Sequence, residues 1–146
     1  MKLGRTINTR MIVGLGLTGL SAARWCQRQG YAFDLCDTRS VLPNIDAIKT
    51  EFPSAKIFTG ALDAQVLSQY DELVVSPGVA ISEPAIQLAA QNGIIISGDI
   101  QLFAERCTKP IIAITGSNGK STVTTLVGEL LKAAGKQVGV GGNIGV

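Results

Sequence analysis

The sequence IVGLGLTG at residues 12–19 joins an apolar strand to the start of a helix through three glycines. Their G-x-G-x-x-G spacing is typical of a loop that holds a diphosphate between a β-strand and an α-helix. Gly14 allows a tight turn, Gly16 allows the diphosphate to come close, and Gly19 allows the helix to pack on the strand. Because the helix N-terminus then faces the anion, the stretch predicts the first unit of a nucleotide-binding domain.

Short apolar runs alternate with helical stretches along the chain. Strands are predicted at residues 11–15, 32–36, 56–59, 72–76, 94–97, 111–115 and 137–141. Helices are predicted at residues 18–29, 45–51, 62–69, 83–91, 99–106 and 120–134. Repetition of strand, helix and strand is typical of a parallel sheet with helices on both faces. The predicted fold class is therefore α/β, with a Rossmann-like parallel sheet domain.

A second glycine loop, TGSNGKST, occupies residues 115–122. It ends in G-K-S-T, as in loops whose backbone N–H groups surround phosphates, whose lysine contacts the β and γ oxygens and whose hydroxyl binds Mg²⁺. The common P-loop needs a glycine where this chain has Ile114, and the first glycine here is Gly116. The short loop predicts binding of a nucleoside triphosphate, and the alternative is a plain capped start of a helix.

The helix after this loop has one apolar stripe, which predicts that it is buried against a sheet. The stripe consists of Val123, Leu126, Val127, Leu130, Leu131 and Ala134. A break is expected just before the second loop, where Pro110 disfavours helix in the preceding residue. We therefore predict an N-terminal domain at residues 1–107 and, at residues 108–146, the first β-α-β unit of a second, truncated domain.

Two further features belong to the predicted first sheet. Asp37 stands about 20 residues after the first glycine loop, where an acidic side chain normally takes the ribose hydroxyls of a dinucleotide. A helix-capping or surface aspartate is the alternative, and the neighbouring Arg39 would suit a phosphate. The turn Ser76-Pro77-Gly78 follows another strand and so shares the carboxyl edge of the sheet, although a purely structural turn explains it equally well.

Composition excludes several classes of protein. The 146 residues are 46% hydrophobic and 16% charged with a net charge of +2, which suits a globular α/β domain and gives no basic footprint for nucleic acid. No window reaches the 18 or more apolar residues of a membrane span, and the apolar N-terminal stretch continues into a charged helix. Three cysteines with no histidine predict reduced, mostly buried thiols of a cytoplasmic protein and no metal cluster.

The order of motifs resembles the Mur ligase and folylpolyglutamate synthetase superfamily, and within it the bacterial ligases that add D-glutamate to UDP-N-acetylmuramoyl-L-alanine. The resemblance is carried by TGSNGKST and, in order along the chain, by GLGLTGLSAARW, DTR, SPGV, GDIQLF and GVGGNIGV. It implies that the first loop holds the UDP of a nucleotide sugar and the second loop holds ATP. Two loops then serve two nucleotides.

The resemblance also implies roles for individual residues. On the UDP-sugar side, it assigns Leu17 and Thr18 to the diphosphate, Asp37 and Thr38 to the uracil with Arg39 beside them, and Ser76, Pro77, Gly78 and Asn143 to the border of the substrate. On the ATP side, it assigns Gly116, Ser117, Asn118, Gly119, Lys120, Ser121 and Thr122. Lys120 would neutralise charge on the transferred phosphoryl group and Ser121 would ligate Mg²⁺.

The implied reaction is ATP-dependent amide formation through an acyl phosphate in peptidoglycan synthesis. Family members continue with further catalytic groups and a domain for D-glutamate, so we expect this chain alone to bind the UDP-sugar without ligase activity. We expect a monomer that does not insert into membranes. Two other hypotheses stay open: an NAD-dependent oxidoreductase, which leaves the second loop unexplained, and a non-catalytic nucleotide-binding module.

Overall fold

The computed structural model describes residues 6–142. The strands of this part are β1 (Thr9–Val13), β2 (Ala32–Asp37), β3 (Ile57–Thr59), β4 (Glu72–Val75) and β5 (Ile95–Ser97). Its helices are α1 (Leu17–Arg28), α2 (Ile45–Glu51), α3 (Ala64–Leu67), α4 (Pro84–Gln91), α5 (Asp99–Arg106) and α6 (Lys120–Ala133). None of the helices described here has the length and apolar character needed to cross a membrane.

The strands form one sheet in the order β3-β2-β1-β4-β5. Every neighbouring pair is parallel. From β1 the chain builds β2 and β3 on one side and then returns to build β4 and β5 on the other, so the strand order reverses between β1 and β4. Ligands of such sheets bind beyond the carboxyl ends of the strands at this switch point. The predicted α/β class with a Rossmann-like parallel sheet is confirmed.

Apolar side chains cover both faces of the sheet. On β1, Ile12 belongs to a cluster with side chains of α1, α2 and α5, whereas Met11 and Val13 belong to a second cluster with side chains of α3 and α4. This alternation follows the two-residue period of a β-strand. All three side chains are fully buried, and each contributes about 1.5–3 kcal/mol to stability. The first glycine loop therefore begins at the end of a firmly packed strand.

A buried ion pair links β1 to β4 near their amino ends. Arg10 and Glu72 are register partners, and the Arg10 Nε donates to Glu72 Oε2 at 2.8 Å. The Arg10 guanidinium also lies over the ring of Tyr31, 4.2 Å from its centroid. Because both charges are almost fully buried, any other register of the two strands would leave a charge without its partner.

Two predicted elements of the sheet domain have different bounds in the structure. The first strand was predicted at 11–15, but it ends at Val13 because Gly14 has a φ of +90°, which no strand continues. The third helix was predicted at 62–69, but it starts at Ala64 because the Asp63 carboxylate accepts the Gln65 N–H at 2.7 Å and caps it. The other elements up to α5 lie within a residue of their predicted bounds.

The chain forms two compact units, Met1–Phe103 and Ala104–Val146. The division lies a few residues before the predicted boundary between residues 107 and 108. The sheet and helices α1 to α4 occupy the first unit, the division falls within α5, and α6 with the loop before it belongs to the second unit. Assignment of these units to a UDP-sugar and to ATP stays a prediction.

The strands predicted at 111–115 and 137–141 are not formed in the described part of the second unit, where the segments before and after α6 are irregular. A strand exists through hydrogen bonds to a neighbouring strand, and neither segment has such a neighbour among residues 6–142. The predicted burial of the stripe on α6 is therefore wrong as well. Val123, Leu126 and Leu130 are 46%, 56% and 61% exposed.

Candidate nucleotide-binding site

The first glycine loop has the geometry that its spacing predicts. Gly14 has a φ of +90°, in the left-handed region that side chains disfavour. A Cβ on Gly19 would stand 1.8 Å from the Gly14 carbonyl oxygen, so only glycine lets α1 lie this close to the loop. At Gly16 a Cβ would meet nothing within 4 Å. The loop thus presents open space to a ligand at Gly16, while its other two glycines are fixed by the fold.

The amino end of α1 borders this open space. Its N-cap is Gly16, which has no side chain to accept hydrogen bonds from the first turn, and that turn contains no acidic residue. Leu17 and Thr18 begin the helix, and Leu17 is 92% exposed. Backbone N–H groups at an uncapped helix start attract anions, because the helix dipole is positive there. The end of α1 is therefore suited to a phosphate or diphosphate.

Asp37, at the carboxyl end of β2, is 3% exposed and is engaged by protein donors. Its Oδ2 accepts the Leu15 N–H at 2.7 Å and an Arg39 Nη2 donor at 2.8 Å. Its Oδ1 accepts the Arg39 backbone N–H at 2.9 Å and the Arg39 Nε at 2.8 Å. The predicted acidic residue thus lies at the expected edge, but its carboxylate contacts the first glycine loop and Arg39.

These contacts shift the ionisation of Asp37. The side chain of Arg39 lowers the pKa of Asp37 most strongly, and the N–H groups of Leu15 and Arg39 lower it further. Burial acts in the opposite direction, and the pKa is about 2. Asp37 is therefore a carboxylate at neutral pH, and its charge is balanced by the guanidinium of Arg39.

The Ser76-Pro77-Gly78 turn lies on the other side of the glycine loop, directly after β4. Ser76 is 8% exposed, and its Oγ donates to the Gly14 carbonyl oxygen at 2.8 Å. Its backbone N–H donates to the Val13 carbonyl at 2.9 Å and extends the pairing of β4 with β1. Pro77 and Gly78 are exposed. The structure thus brings this turn and the first glycine loop together, as the shared edge predicts.

Two concave surfaces of the first unit adjoin this edge. One, with a volume of about 420 Å³, lies beside the start of α1, and its lining includes Thr18, Trp25 and Phe103. The other, of about 370 Å³, lies at the ends of β2 and β3, and its lining includes Asp37 and Thr59. Thr59 was not predicted as a site residue, although it ends a strand and so carries the same positional signal as Asp37.

The second glycine loop belongs to the second unit and is exposed. Gly116 and Gly119 have φ values of +150° and +73°, and Gly119 directly precedes α6. The Lys120 Nζ reaches back to the carbonyl oxygens of Gly116, at 2.7 Å, and Ser117, at 3.3 Å. Two of the three N–H groups of its ammonium are used in this way, which leaves one for an anion.

The residues of this loop fit a triphosphate better than they fit a metal. The uncapped start of α6 and the ammonium of Lys120 provide N–H donors for an anion. For Mg²⁺ the loop offers the hydroxyl of Ser121, and no group of three or more His, Cys, Asp or Glu side chains in residues 6–142 is placed to hold a metal ion. Asn143, the remaining predicted site residue, lies outside the described residues.

The thiol groups of the three cysteines are not part of either glycine loop. Cys26 and Cys36 are free and buried in the two clusters of the sheet domain, and Cys107 is half-buried. Burial raises the pKa of Cys26 to about 11 and that of Cys36 to about 12. The prediction of mostly buried, unpaired thiols is confirmed, and at neutral pH the two buried thiols are protonated and unreactive.

A match to a family of known proteins covers most of the first unit. The model of the Mur ligase MurD-like N-terminal domain matches residues 8–98, which include the first glycine loop, Asp37 and the Ser76-Pro77-Gly78 turn. The chain belongs to the MurD-like Mur ligases. The family resemblance predicted from the motifs is thereby confirmed.

Curated relatives carry the name UDP-N-acetylmuramoylalanine–D-glutamate ligase. One from Marinobacter nauticus is 53% identical over 135 residues, which are 92% of this chain and 30% of the relative. One from Pseudomonas fluorescens is 48% identical over 145 residues, which are 99% of this chain and 32% of the relative. The chain thus spans about a third of the length of these relatives.

Solved structures of other ligases share the fold. A pseudomurein peptide ligase type C from Methanothermus fervidus has a TM-score of 0.56 at 23% identity, covering 88% of this chain and 26% of that one. A UDP-N-acetylmuramate-alanine ligase from Thermotoga maritima has a TM-score of 0.55 at 22% identity, covering 94% of this chain and 32% of that one. At these identities the similarity concerns the fold alone.

Proposed function

We propose that this chain provides the UDP-sugar site and the ATP loop of a bacterial ligase that adds D-glutamate to UDP-N-acetylmuramoyl-L-alanine in the cytoplasm, during peptidoglycan synthesis. The observation that carries the proposal is the open space at Gly16, at the uncapped start of α1, in a chain 48–53% identical to ligases of that name. The activity would belong to a protein of the relatives' full length.

The UDP-sugar would lie along the carboxyl edge of the sheet. Its diphosphate would face Leu17 and Thr18 at the start of α1, where backbone N–H groups and the helix dipole favour negative charge. Its uracil would lie toward Thr38 and Arg39, which are exposed directly after β2. Other residues assigned to this site are Asp37, Ser76, Pro77, Gly78 and Asn143.

ATP would bind at the second loop. Its phosphates would meet the backbone of Gly116, Ser117, Asn118 and Gly119, with Thr122 in the first turn of α6. Lys120 would place its remaining N–H on the phosphoryl group in transfer, and Ser121 would ligate Mg²⁺. ATP supplies the phosphoryl group that converts the substrate carboxylate to an acyl phosphate, and the amine of D-glutamate then displaces phosphate. Neither Lys120 nor Ser121 acts as a nucleophile.

For this chain by itself we propose binding without turnover, and it is expected to be a monomer. A thermal melt with UDP-N-acetylmuramoyl-L-alanine, and separately with NAD, tests the first site. A ligand at 100 times its dissociation constant stabilises the folded state by roughly 2.7 kcal/mol, which a melt resolves. Stabilisation by the UDP-sugar alone supports the proposal, whereas stabilisation by NAD alone would favour an oxidoreductase. Phosphate release above background with ATP, D-glutamate and the UDP-sugar would contradict the absence of turnover.

A further inference from the structure

We propose that Gly60, in the turn between β3 and α3, is a positioning residue for recognition of the nucleotide base. Its backbone N–H holds the segment Asp37-Thr38-Arg39 in the conformation that meets the base. The inference rests on the proposed UDP-sugar site and deepens it, since the contacts with the base stay with Asp37 and Thr38. Gly60 lies one residue beyond the last register pair of β2 and β3, which is Asp37 and Thr59.

One N–H that is shared between two carbonyls carries the first step. The Gly60 N–H donates to the Asp37 carbonyl oxygen at 3.0 Å and to the Arg39 carbonyl oxygen at 3.1 Å. Within the segment, the Asp37 carboxylate accepts the Arg39 backbone N–H at 2.9 Å. Thr38 lies between the two residues that are held in this way, and it is exposed. The segment is therefore a tight turn that is closed by its own side chain and by the N–H of Gly60.

The backbone that follows this turn is not part of any regular element. β2 ends at Asp37, residues 38–43 form neither helix nor strand, and the next buried side chain is that of Leu42. Exposed backbone of this kind has many conformations to lose when a ligand binds. The bonds from Gly60 fix the turn before the ligand arrives, which lowers the cost of ordering it on binding.

Gly60 is itself held from both sides. Before it, β3 is paired with β2 up to Thr59. After it, Leu62 packs against the apolar cluster that covers one face of the sheet, and Asp63 caps α3 through the Gln65 N–H. The chain is thus fixed immediately before and after this residue, so its N–H can anchor a neighbouring segment that is exposed.

The backbone conformation of Gly60 makes this anchor sensitive to a single methyl group. Its φ is +99°, which L side chains rarely adopt, while a Cβ there would meet nothing within 4 Å. The effect of Gly60→Ala is therefore strain in the backbone and not a clash with a neighbour. Because Leu62 and α3 hold the chain that follows, the strain is relieved by turning the peptide that carries the Gly60 N–H. That movement lengthens or breaks the shared bond.

Preference between two bases separates positioning from a general loss of structure. Uridine diphosphate and cytidine diphosphate share the ribose and the diphosphate and differ only at the edge of the base. Both are titrated by calorimetry into the 146-residue protein and into Gly60→Ala. We expect the wild type to prefer uridine diphosphate and the variant to lose about tenfold of that preference, as for one or two hydrogen bonds, with unchanged affinity for cytidine diphosphate. Equal weakening of both ligands would overturn the proposal.

Gly93→Ala is the matched control. Gly93 has a φ of +83°, and a Cβ there would also meet nothing within 4 Å. It precedes β5 and so lies at the amino edge of the sheet, opposite the edge proposed for the ligand. The control should be strained in the same way and should keep the wild-type preference for uridine diphosphate. Loss of the preference in the control would show that strain at any glycine disturbs the site, and would overturn a specific role for Gly60.

The results for the wild type separate this inference from the proposed function. Binding of both ligands with equal affinity would overturn the positioning role and leave the proposed diphosphate site in place. Binding of neither ligand would contradict the proposed function and this inference with it.

A measurement on the free wild type covers the case in which Gly60→Ala does not fold. The amide proton of Gly60 should exchange with solvent about tenfold more slowly than an amide of an exposed loop, because it is bonded to two carbonyl oxygens. Exchange at the rate of an exposed loop would overturn the proposal.

Discussion

Gly19 lies so close to Gly14 that a Cβ on Gly19 would stand 1.8 Å from the Gly14 carbonyl oxygen. Since that oxygen belongs to the backbone, no side-chain rotation can relieve the clash. Gly19→Ala should therefore move α1 or the loop and lower the free energy of unfolding by about 3 kcal/mol or more, as measured by urea denaturation. In Gly98→Ala the nearest atom is at an ordinary 3.8 Å, so that control should lose far less stability. Equal losses would contradict the close packing.

Acid should remove the stabilisation that Asp37 provides. Its pKa in the folded state, about 2, lies below that of an unfolded aspartate, so its contribution is present above the unfolded value and is lost as pH falls toward 2. Denaturation of wild type and Asp37→Asn at several pH values between 5 and 2 measures this. The difference in their free energies of unfolding should be largest near pH 5 and should shrink with acid. A difference independent of pH would contradict the depressed pKa.

The buried pair of Arg10 and Glu72 should matter far more than an exposed pair. Glu72→Gln leaves a buried guanidinium without its counter-ion and should cost about 3–5 kcal/mol of stability. Glu51→Gln, which removes the partner of the much more exposed Arg24, should cost far less stability, because solvent screens an exposed pair. Chemical denaturation of both variants provides the comparison, and similar losses would refute the burial of the first pair.

Lys120 should act in turnover and not in binding of the UDP-sugar. In a protein of the relatives' full length, Lys120→Ala should lower kcat by several orders of magnitude, because the charge on the transferred phosphoryl group is no longer balanced. Affinity for the UDP-sugar should change little, since that ligand is proposed to bind at the other loop. Lys132→Ala, which removes an exposed lysine of α6 paired with Glu129, is the control and should keep full turnover. Unchanged turnover of Lys120→Ala would remove this lysine from the mechanism.

The conformation of the first glycine loop could be predicted because the residues that determine it are close together in the sequence. Gly14, Gly16 and Gly19 lie within six consecutive residues, and their conformations follow from a tight strand-to-helix turn. The parallel sheet was predictable for a similar reason, since strands and helices alternate regularly. Both features depend on short-range patterns that the sequence displays directly.

The partners of Asp37 and Ser76 could not be read in the same way. Both contact the loop across long stretches of sequence, and the bonds of Asp37 depend on the rotamer of Arg39. Likewise, the apolar residues at 111–115 have the composition of a strand, but a strand also needs a neighbour, which no local pattern supplies. The spacing of the motifs in the sequence predicted which residues lie at the carboxyl edge of the sheet. Their hydrogen-bond partners depend on tertiary packing.

The most direct test of the proposed diphosphate site is calorimetric titration of UDP-N-acetylmuramoyl-L-alanine into the wild type and Gly16→Ala. The backbone at Gly16 suits alanine, and the added methyl meets no protein atom within 4 Å, so the fold should be unaffected. The methyl would occupy the space proposed for the diphosphate. We therefore predict binding to the wild type and at least a tenfold weaker affinity for the variant, with equal melting temperatures of the free proteins. Equal affinities would contradict a diphosphate at this loop.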